Sequence, residues 1–209
     1  MNDLELFQIE KSTNEVRDIV LTNIIKMLTE RELLKKTNLN KNIQKLIEFK
    51  SQDSIYKINL DNLDKKSLLL KIIPKKITAV SKTFGISEFL NKYKDQHKII
   101  IVKDITKKAR QYIINNYENT EIFLEEYLMI NLIENIYVPE HKILNKVEVD
   151  EFYKKYNVKK KNIPKMLSDD AVAKYYNMKP GDICRIIRPS QTSGLYVTYR
   201  LVIKGSLKK

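Results

Sequence analysis

The sequence predicts an α+β chain of two domains, residues 1–137 and 138–209, and three observations carry that reading. Amphipathic helical stretches and β-branched runs are mixed without regular βαβ repetition, which suggests α+β rather than α/β organisation. Tyr137-Val138-Pro139 interrupts the pattern, because proline pushes its predecessor into an extended conformation and a helix does not run smoothly through it. Beyond that break lie three of the four glycines, Gly181, Gly194 and Gly205, and with them the best-defined turns.

In the first domain, Val16, Ile19, Val20, Ile24, Met27, Leu28, Leu33 and Leu34 recur at helical spacing, predicting a long amphipathic helix over Asn14–Lys36. Asn14 suits the N-cap, although Arg17 stands where a capping box would place glutamate. A second helix is expected over Lys41–Lys50, with Ile43, Leu46, Ile47 and Phe49 facing inward. Ser54–Leu60 alternates as a strand does. Lys65–Ala79 reads either way: Leu68-Leu69-Leu70 and Ile72-Ile73 suit a strand or the end of a helix before Pro74. Ser87–Tyr93 is expected as a short helical turn. Lys98–Val102 is the clearest strand, a β-branched run suited to a buried central position. Thr106 is expected to cap a helix through Ile114. Ile122–Ile136 is a mixed segment leading into a strand that ends at Val138.

In the second domain Glu148–Tyr156 predicts a helix with Val149, Phe152, Tyr153 and Tyr156 on one side and Asn157 at C′. A short helix follows over Asp169–Tyr176, with Ser168 and Asp169 as candidate caps. Pro180-Gly181 suits a type II turn, proline pre-setting φ and glycine accepting the positive φ that follows. Ile183–Ile187 and Tyr196–Ile203 are strand-forming runs around a polar link, Arg188–Gly194, and read as an antiparallel pair in a small mixed sheet.

The chain carries 39 Lys and Arg against 26 Asp and Glu, a net charge of +13. From Pro139 onward the balance is 16 against 7, so most of the surplus lies in the smaller part. Such a surface favours nucleic acid or an acidic protein partner, whereas a compositional bias towards Lys, Asn and Ile would raise charge without any site. Lysine far outnumbers arginine and is the poorer residue for bidentate base reading, which disfavours sequence-specific DNA recognition. The acidic start MNDLELFQIEK does not read as a signal peptide, and no apolar run approaches the roughly 20 residues of a membrane span. A lone cysteine, Cys184, excludes an internal disulfide framework. A soluble, intracellular protein is expected.

Enzymatic chemistry finds little footing. His97, His141 and Cys184 show no metal-ligand spacing, and Gly85 stands outside any phosphate-binding loop, so neither cofactor nor metal is expected. A Cys184/His141 nucleophilic pair lacks an orienting third group, and Cys184 reads as a small hydrophobe in a strand. A nuclease reading rests on Glu48-Phe49-Lys50, with Asp53 or Asp61 as second carboxylate; this short pattern falls on an expected helix. Arg185, Arg188 and Arg200, half of all the arginines, gather on the expected hairpin, where they could share one face and pair with carboxylates or phosphates, or simply protect an edge. Tyr175, Tyr176, Tyr196 and Tyr199 add aromatic surface or core.

Val138-Pro139-Glu140-His141, Ile163-Pro164-Lys165, Asp170 to Tyr176, Lys179-Pro180-Gly181-Asp182, Ile187-Arg188-Pro189-Ser190, Gly194 and Tyr199-Arg200 stand in an order and spacing that resemble one family. It is the small RNA polymerase subunit shared by eukaryotic polymerases I, II and III, which has a shorter counterpart in archaeal polymerases. The resemblance covers about the last third of the chain, and Ile122–Asn131 further resembles the end of the eukaryotic amino-terminal domain. It implies a non-catalytic subunit of a DNA-directed RNA polymerase. The carboxy-terminal domain would assemble onto the largest subunit, and the amino-terminal domain would form part of a jaw beside downstream duplex DNA. His141, Pro164, Tyr175, Arg185, Arg188 and Arg200 are then the expected partner-binding residues. The composition suits a large DNA virus or an A·T-rich eukaryote, hence the nucleus, or a cytoplasmic viral factory and virion. A free-standing basic DNA-binding or transcription-regulating protein is the alternative.

Overall fold

A computed structural model describes residues 11–49, 54–61, 67–80, 85–192 and 194–205. The chain resolves into two compact units that part between Ile130 and Asn131. The boundary expected from the sequence lies seven residues later, at Tyr137-Val138.

The first unit opens with helix α1, Thr13–Glu30. Its N-cap is Ser12, not Asn14: Ser12 Oγ accepts from Glu15 N–H, and the Glu15 carboxylate accepts from Ser12 N–H, a full capping box two residues upstream of the expected cap. The helix also ends six residues before Lys36. Glu32 adopts a left-handed φ of 59°, and the Leu33 and Glu32 amides bond back to the Leu28 and Thr29 carbonyls, a Schellman closure built without glycine. Helix α2, Leu39–Glu48, buries Leu46 but leaves Phe49, just past its end, 56% exposed, against the inward position expected of it.

A four-stranded sheet follows in the order β1-β2-β3-β4, with β1 Ile55–Asn59, β2 Ser67–Ile77, β3 Lys98–Ile105 and β4 Thr120–Leu124. β1 is antiparallel to β2, while β2, β3 and β4 run parallel. Helices α3, Ile86–Lys92, and α4, Lys107–Asn116, make the crossovers, so two successive βαβ units do occur within this otherwise mixed α and β chain. The expectation of no βαβ repetition is corrected here, because α3 is short and weakly periodic. β2 is a strand through Pro74. The missing N–H is tolerated because the ladder to β3 slips between Ile73 and Lys76. β3 is central and buried, as its β-branched run predicts, and Thr106 caps α4.

One face of this sheet packs Leu69, Ile73, Ile100, Val102 and Ile122 against Ile86, Phe89 and Leu90 of α3 and Ala109 and Ile113 of α4. Glu121, one residue out of phase with Ile122, points to the other face, where Arg31 at the end of α1 meets it. The helices thus cover both faces, which suits a sheet with a parallel core. After β4 the chain forms 3-10 turns at Glu125–Leu128 and Leu132–Glu134. The strand expected to end at Val138 instead begins at Glu140.

The second unit is a four-stranded mixed sheet, ordered β5-β7-β8-β6: β5 Glu140–Ile143, β6 Lys165–Leu167, β7 Ile183–Ser190 and β8 Gly194–Ile203. β7 is antiparallel to both neighbours, and β6 is parallel to β8. Helix α5, Lys146–Tyr156, is boxed by Asn145 and Glu148 and ends at Asn157 with a left-handed φ of 46°. Helix α6, Ala171–Tyr175, is capped by Asp170 rather than by Ser168 or Asp169. Gly181 takes φ 107° in the Lys179–Asp182 turn, closed by the Asp182 amide on the Lys179 carbonyl. Pro189, expected in the link, lies within β7 opposite Leu195. No helix of the described residues is long and apolar enough to cross a membrane.

Candidate functional site

Strand alternation decides which face each residue of the β7–β8 hairpin occupies. Cross-strand partners share a face and neighbours along a strand oppose each other. Cys184, Ile186 and Arg188 pair with Arg200, Thr198 and Tyr196, and on β5 His141 pairs with Ile186. Ile183, Arg185 and Ile187 pair with Leu201, Tyr199 and Val197 on the opposite face. The first face packs Cys184, Ile186, Met166 and Val202 under Val172 and Ala173 of α6; the second packs Ile183 and Leu201 under Phe152 of α5.

Three arginines on one face is therefore not what forms. Arg188 and Arg200 share the α6 face with His141, while Arg185 lies on the α5 face beside Tyr199. Both Arg188 and Arg200 are exposed, and among the described residues neither makes an ion pair. The Arg188 guanidinium stacks 5.2 Å from the centre of the Tyr196 ring. His141 is half-buried, its Nδ1 2.7 Å from the Pro139 carbonyl oxygen. Pro164 is exposed at the start of β6, its carbonyl accepting the Leu201 amide beside Arg200. Arg185 is half-buried, with an Nε that meets no hydrogen-bond acceptor among the described residues. Tyr175 is a core residue, 6% exposed, its hydroxyl donating to Asn131 Oδ1 at 3.1 Å, so it offers no surface.

The same hairpin has an open edge. The Leu201 amide and the Ile203 carbonyl bond towards β6, so the odd-numbered peptides of β8 face that side. β6 pairs only Leu201–Ile203, and among the described residues no strand covers the edge from Leu195 to Tyr199. Leu195 and Val197 on that stretch are 68% and 41% exposed. An edge with free peptide groups and exposed apolar side chains is a template for a partner.

Cys184 is fully buried, and burial pushes its thiol up to about 11. It faces core and makes a weak 3.7 Å contact with the Arg185 carbonyl, so it packs as the small hydrophobe expected. Among the described residues no three His, Cys, Asp or Glu side chains gather as a metal site. Glu48 is exposed on α2, and Asp61 accepts the Lys35 amide at 3.0 Å; Lys50 and Asp53 lie outside the described residues.

In the first unit a cleft of about 510 Å³ opens between β2 and α3, lined by Lys71, Lys75 and Lys92 with Glu88. Lys71 is carried over the Phe89 ring at 5.1 Å and Lys92 over Tyr93 at 5.5 Å. No residue here is singled out by the sequence, since the basic wall exists only once the crossover helix lies beside the strand. On the other face of the sheet, Glu121 is clamped by the two terminal guanidinium nitrogens of Arg31, Nη1 and Nη2, at 2.9 and 2.8 Å and by His97 Nε2 at 2.7 Å. Burial pushes its carboxyl up, but these partners outweigh it and hold the group at about 2.

Comparison with known proteins fits the hairpin-bearing unit to a family and extends the likeness over the whole chain. The family described as RNA polymerase Rpb5, C-terminal domain, matches residues 130–202. DNA-directed RNA polymerase subunit 5 of Acanthamoeba polyphaga mimivirus is 36% identical over 208 residues, 95% of this chain and 97% of that protein. The subunit rpabc1 of DNA-directed RNA polymerases I, II and III from Dictyostelium discoideum is 34% identical over 109 residues, 50% of this chain and 55% of that one. Subunit Rpo5 of Methanocaldococcus jannaschii is 46% identical over 71 residues, 34% of this chain and 91% of that one. The archaeal match is confined to about a third of the chain, whereas the viral match runs from end to end, and on that coverage the chain belongs to the DNA-directed RNA polymerase subunit 5 family.

Proposed function

We propose that this chain is a non-catalytic structural subunit of a multisubunit DNA-directed RNA polymerase. Residues 138–209 form its assembly domain and dock on the largest subunit; residues 1–137 contribute to the jaw beside downstream duplex DNA. The end-to-end match to a polymerase subunit carries the reading. Two features of the second unit support the docking half: Arg188, stacked on exposed Tyr196, with Arg200 on the same face and neither in an ion pair among the described residues, and the open edge of β8. Arginine and tyrosine anchors next to free strand peptides can hold a partner by bidentate pairs and main-chain bonds together. Pro164 and His141 border that surface; Tyr175 supports it from the core. The jaw half is supported by the lysine-lined cleft, whose ammonium groups suit phosphates without reading bases. The subunit works where its polymerase does, in the nucleus or in a cytoplasmic viral factory and virion.

The test is binding of the full chain to purified largest subunit, comparing wild type with Arg188→Glu/Arg200→Glu. Loss of about 2 kcal/mol or more, some thirty-fold in Kd, with unchanged circular dichroism is expected if the face docks. Equal binding by the two proteins would remove the hairpin from the interface.

A further inference from the structure

From Phe152 to Ser168 the chain carries six lysines, Lys154, Lys155, Lys159, Lys160, Lys161 and Lys165, and no Asp or Glu. All six are exposed, and no ion pair among the described residues engages any of them. Elsewhere in the same unit lysines do find carboxylates: Lys142 meets Glu148 at 2.6 Å and Lys174 meets Asp169 at 3.4 Å.

The backbone beneath these lysines is fixed. Val158 and Ile163 pack with Phe152 and Leu201 on the α5 face of the sheet. Between them the 3-10 turn Lys160–Asn162, closed by the Asn162 amide on the Lys159 carbonyl at 2.9 Å, presents three consecutive lysines to solvent. Lys165 is held by the pairing of β6 with Leu201. Lys154 and Lys155 complement the C-terminal dipole of α5, which accounts for those two alone. Uncompensated like charge on an ordered segment opposes the fold through self-repulsion, and an anion relieves it.

We propose that this lysine ridge is a second nucleic-acid surface, one that binds the phosphate backbone of duplex DNA without reading sequence. Lysine supplies point charges that fit phosphates and lacks the fork that reads base edges. A single strand would need several exposed rings to stack on, and here Tyr156, 44% exposed under the Lys155 ammonium, is the one exposed ring among the described residues of the ridge. An acidic protein partner would call for arginine and apolar anchors, and those lie with the hairpin. Val158 and Ile163 tie the ridge to the α5 face, whereas Arg188 and Arg200 occupy the α6 face, so DNA and a protein partner need not compete.

The experiment titrates the full-length chain into a fluorescent mixed-sequence DNA duplex of about 25 base pairs, from about 50 to 200 mM KCl. Wild type is compared with Lys159→Glu/Lys160→Glu/Lys161→Glu and with a charge-matched control, Lys41→Glu/Lys45→Glu/Lys57→Glu. The ridge variant is expected to bind about ten-fold or more weaker than the control, and its slope of log K against log salt to fall by about 2.7, three lost phosphate contacts at roughly 0.9 each. A Lys→Gln version of the ridge variant gives the same reading should the reversed one fail to fold. Equal loss in ridge and control variants would reduce the effect to net charge and overturn the proposal. Full DNA binding by the ridge variant would overturn it too, including the case in which that variant instead loses an acidic protein partner.

Discussion

Glu121 is the residue at which stability and pH are most tightly joined. Its carboxyl stands at about 2 against an ordinary 4.5, so the folded state holds it ionised where the unfolded chain takes up a proton. The folded value is depressed, and the contribution is therefore complete above about pH 4.5 and lost as pH falls towards 2. That window is worth about 3 kcal/mol at roughly 1.36 kcal/mol per unit. Glu121→Gln removes the carboxylate that Arg31 and His97 both meet and is expected to cost about 3–5 kcal/mol. Urea unfolding followed by circular dichroism should show this loss at pH 7 and a flatter acid limb below pH 4.5; an unchanged limb would mean that other carboxylates govern it. Cys184 makes the complementary case. Buried and held near 11, it should react with a thiol reagent only as fast as the second unit opens, and fast labelling of the native chain would contradict its place in the core. Lys98 is buried and its ammonium caps the Tyr93, Lys94 and Gln96 carbonyls at 2.8–3.0 Å. Lys98→Met should cost about 1–3 kcal/mol by leaving those acceptors without a donor, measurable in the same unfolding experiment.

Helix ends and strand faces are where local signals and tertiary contacts trade authority. Ser12→Ala removes one arm of the α1 capping box and is expected to lower stability by about 1 kcal/mol, read as a fall in Tm. The box is spelled Ser-x-x-Glu in the sequence, yet a search that begins at the apolar stripe starts two residues too late and settles on Asn14. The stop of α1 is harder to read, because its left-handed residue is Glu32 rather than glycine. Strands β3 and β8, the α4 cap and the left-handed Asn157 are legible, each having a composition that admits one local answer. Pro74 is not: whether a strand survives a proline depends on how its neighbours pair there, and the ladder to β3 slips between Ile73 and Lys76. For the candidate site the sequence names residues but not their arrangement. Arg188, Arg200 and His141 share the α6 face, while the opposite placement of Arg185 follows from a strand that Pro189 extends past Arg188. Tyr175 has the composition of an interface aromatic and is core because α6 turns it towards Asn131.

Across the whole chain, charge and coverage decide. A net +13 gathers lysines differently in the two units: along a cleft between strand and crossover helix in the first, on a ridge around one 3-10 turn in the second. Lys75→Glu/Lys92→Glu should reduce retention of downstream duplex by the assembled polymerase and make its salt dependence shallower, by about 0.9 per lost contact. Retention equal to wild type across the salt range would exclude that cleft from the DNA path. Membership of a polymerase is tested best by purifying the tagged chain from its native source under moderate salt and quantifying what accompanies it. A structural subunit predicts the two large catalytic subunits in equal proportion to this chain. Recovery of the chain alone, or with nothing but nucleic acid that salt strips away, would contradict that role and leave a free-standing binder with the family's fold.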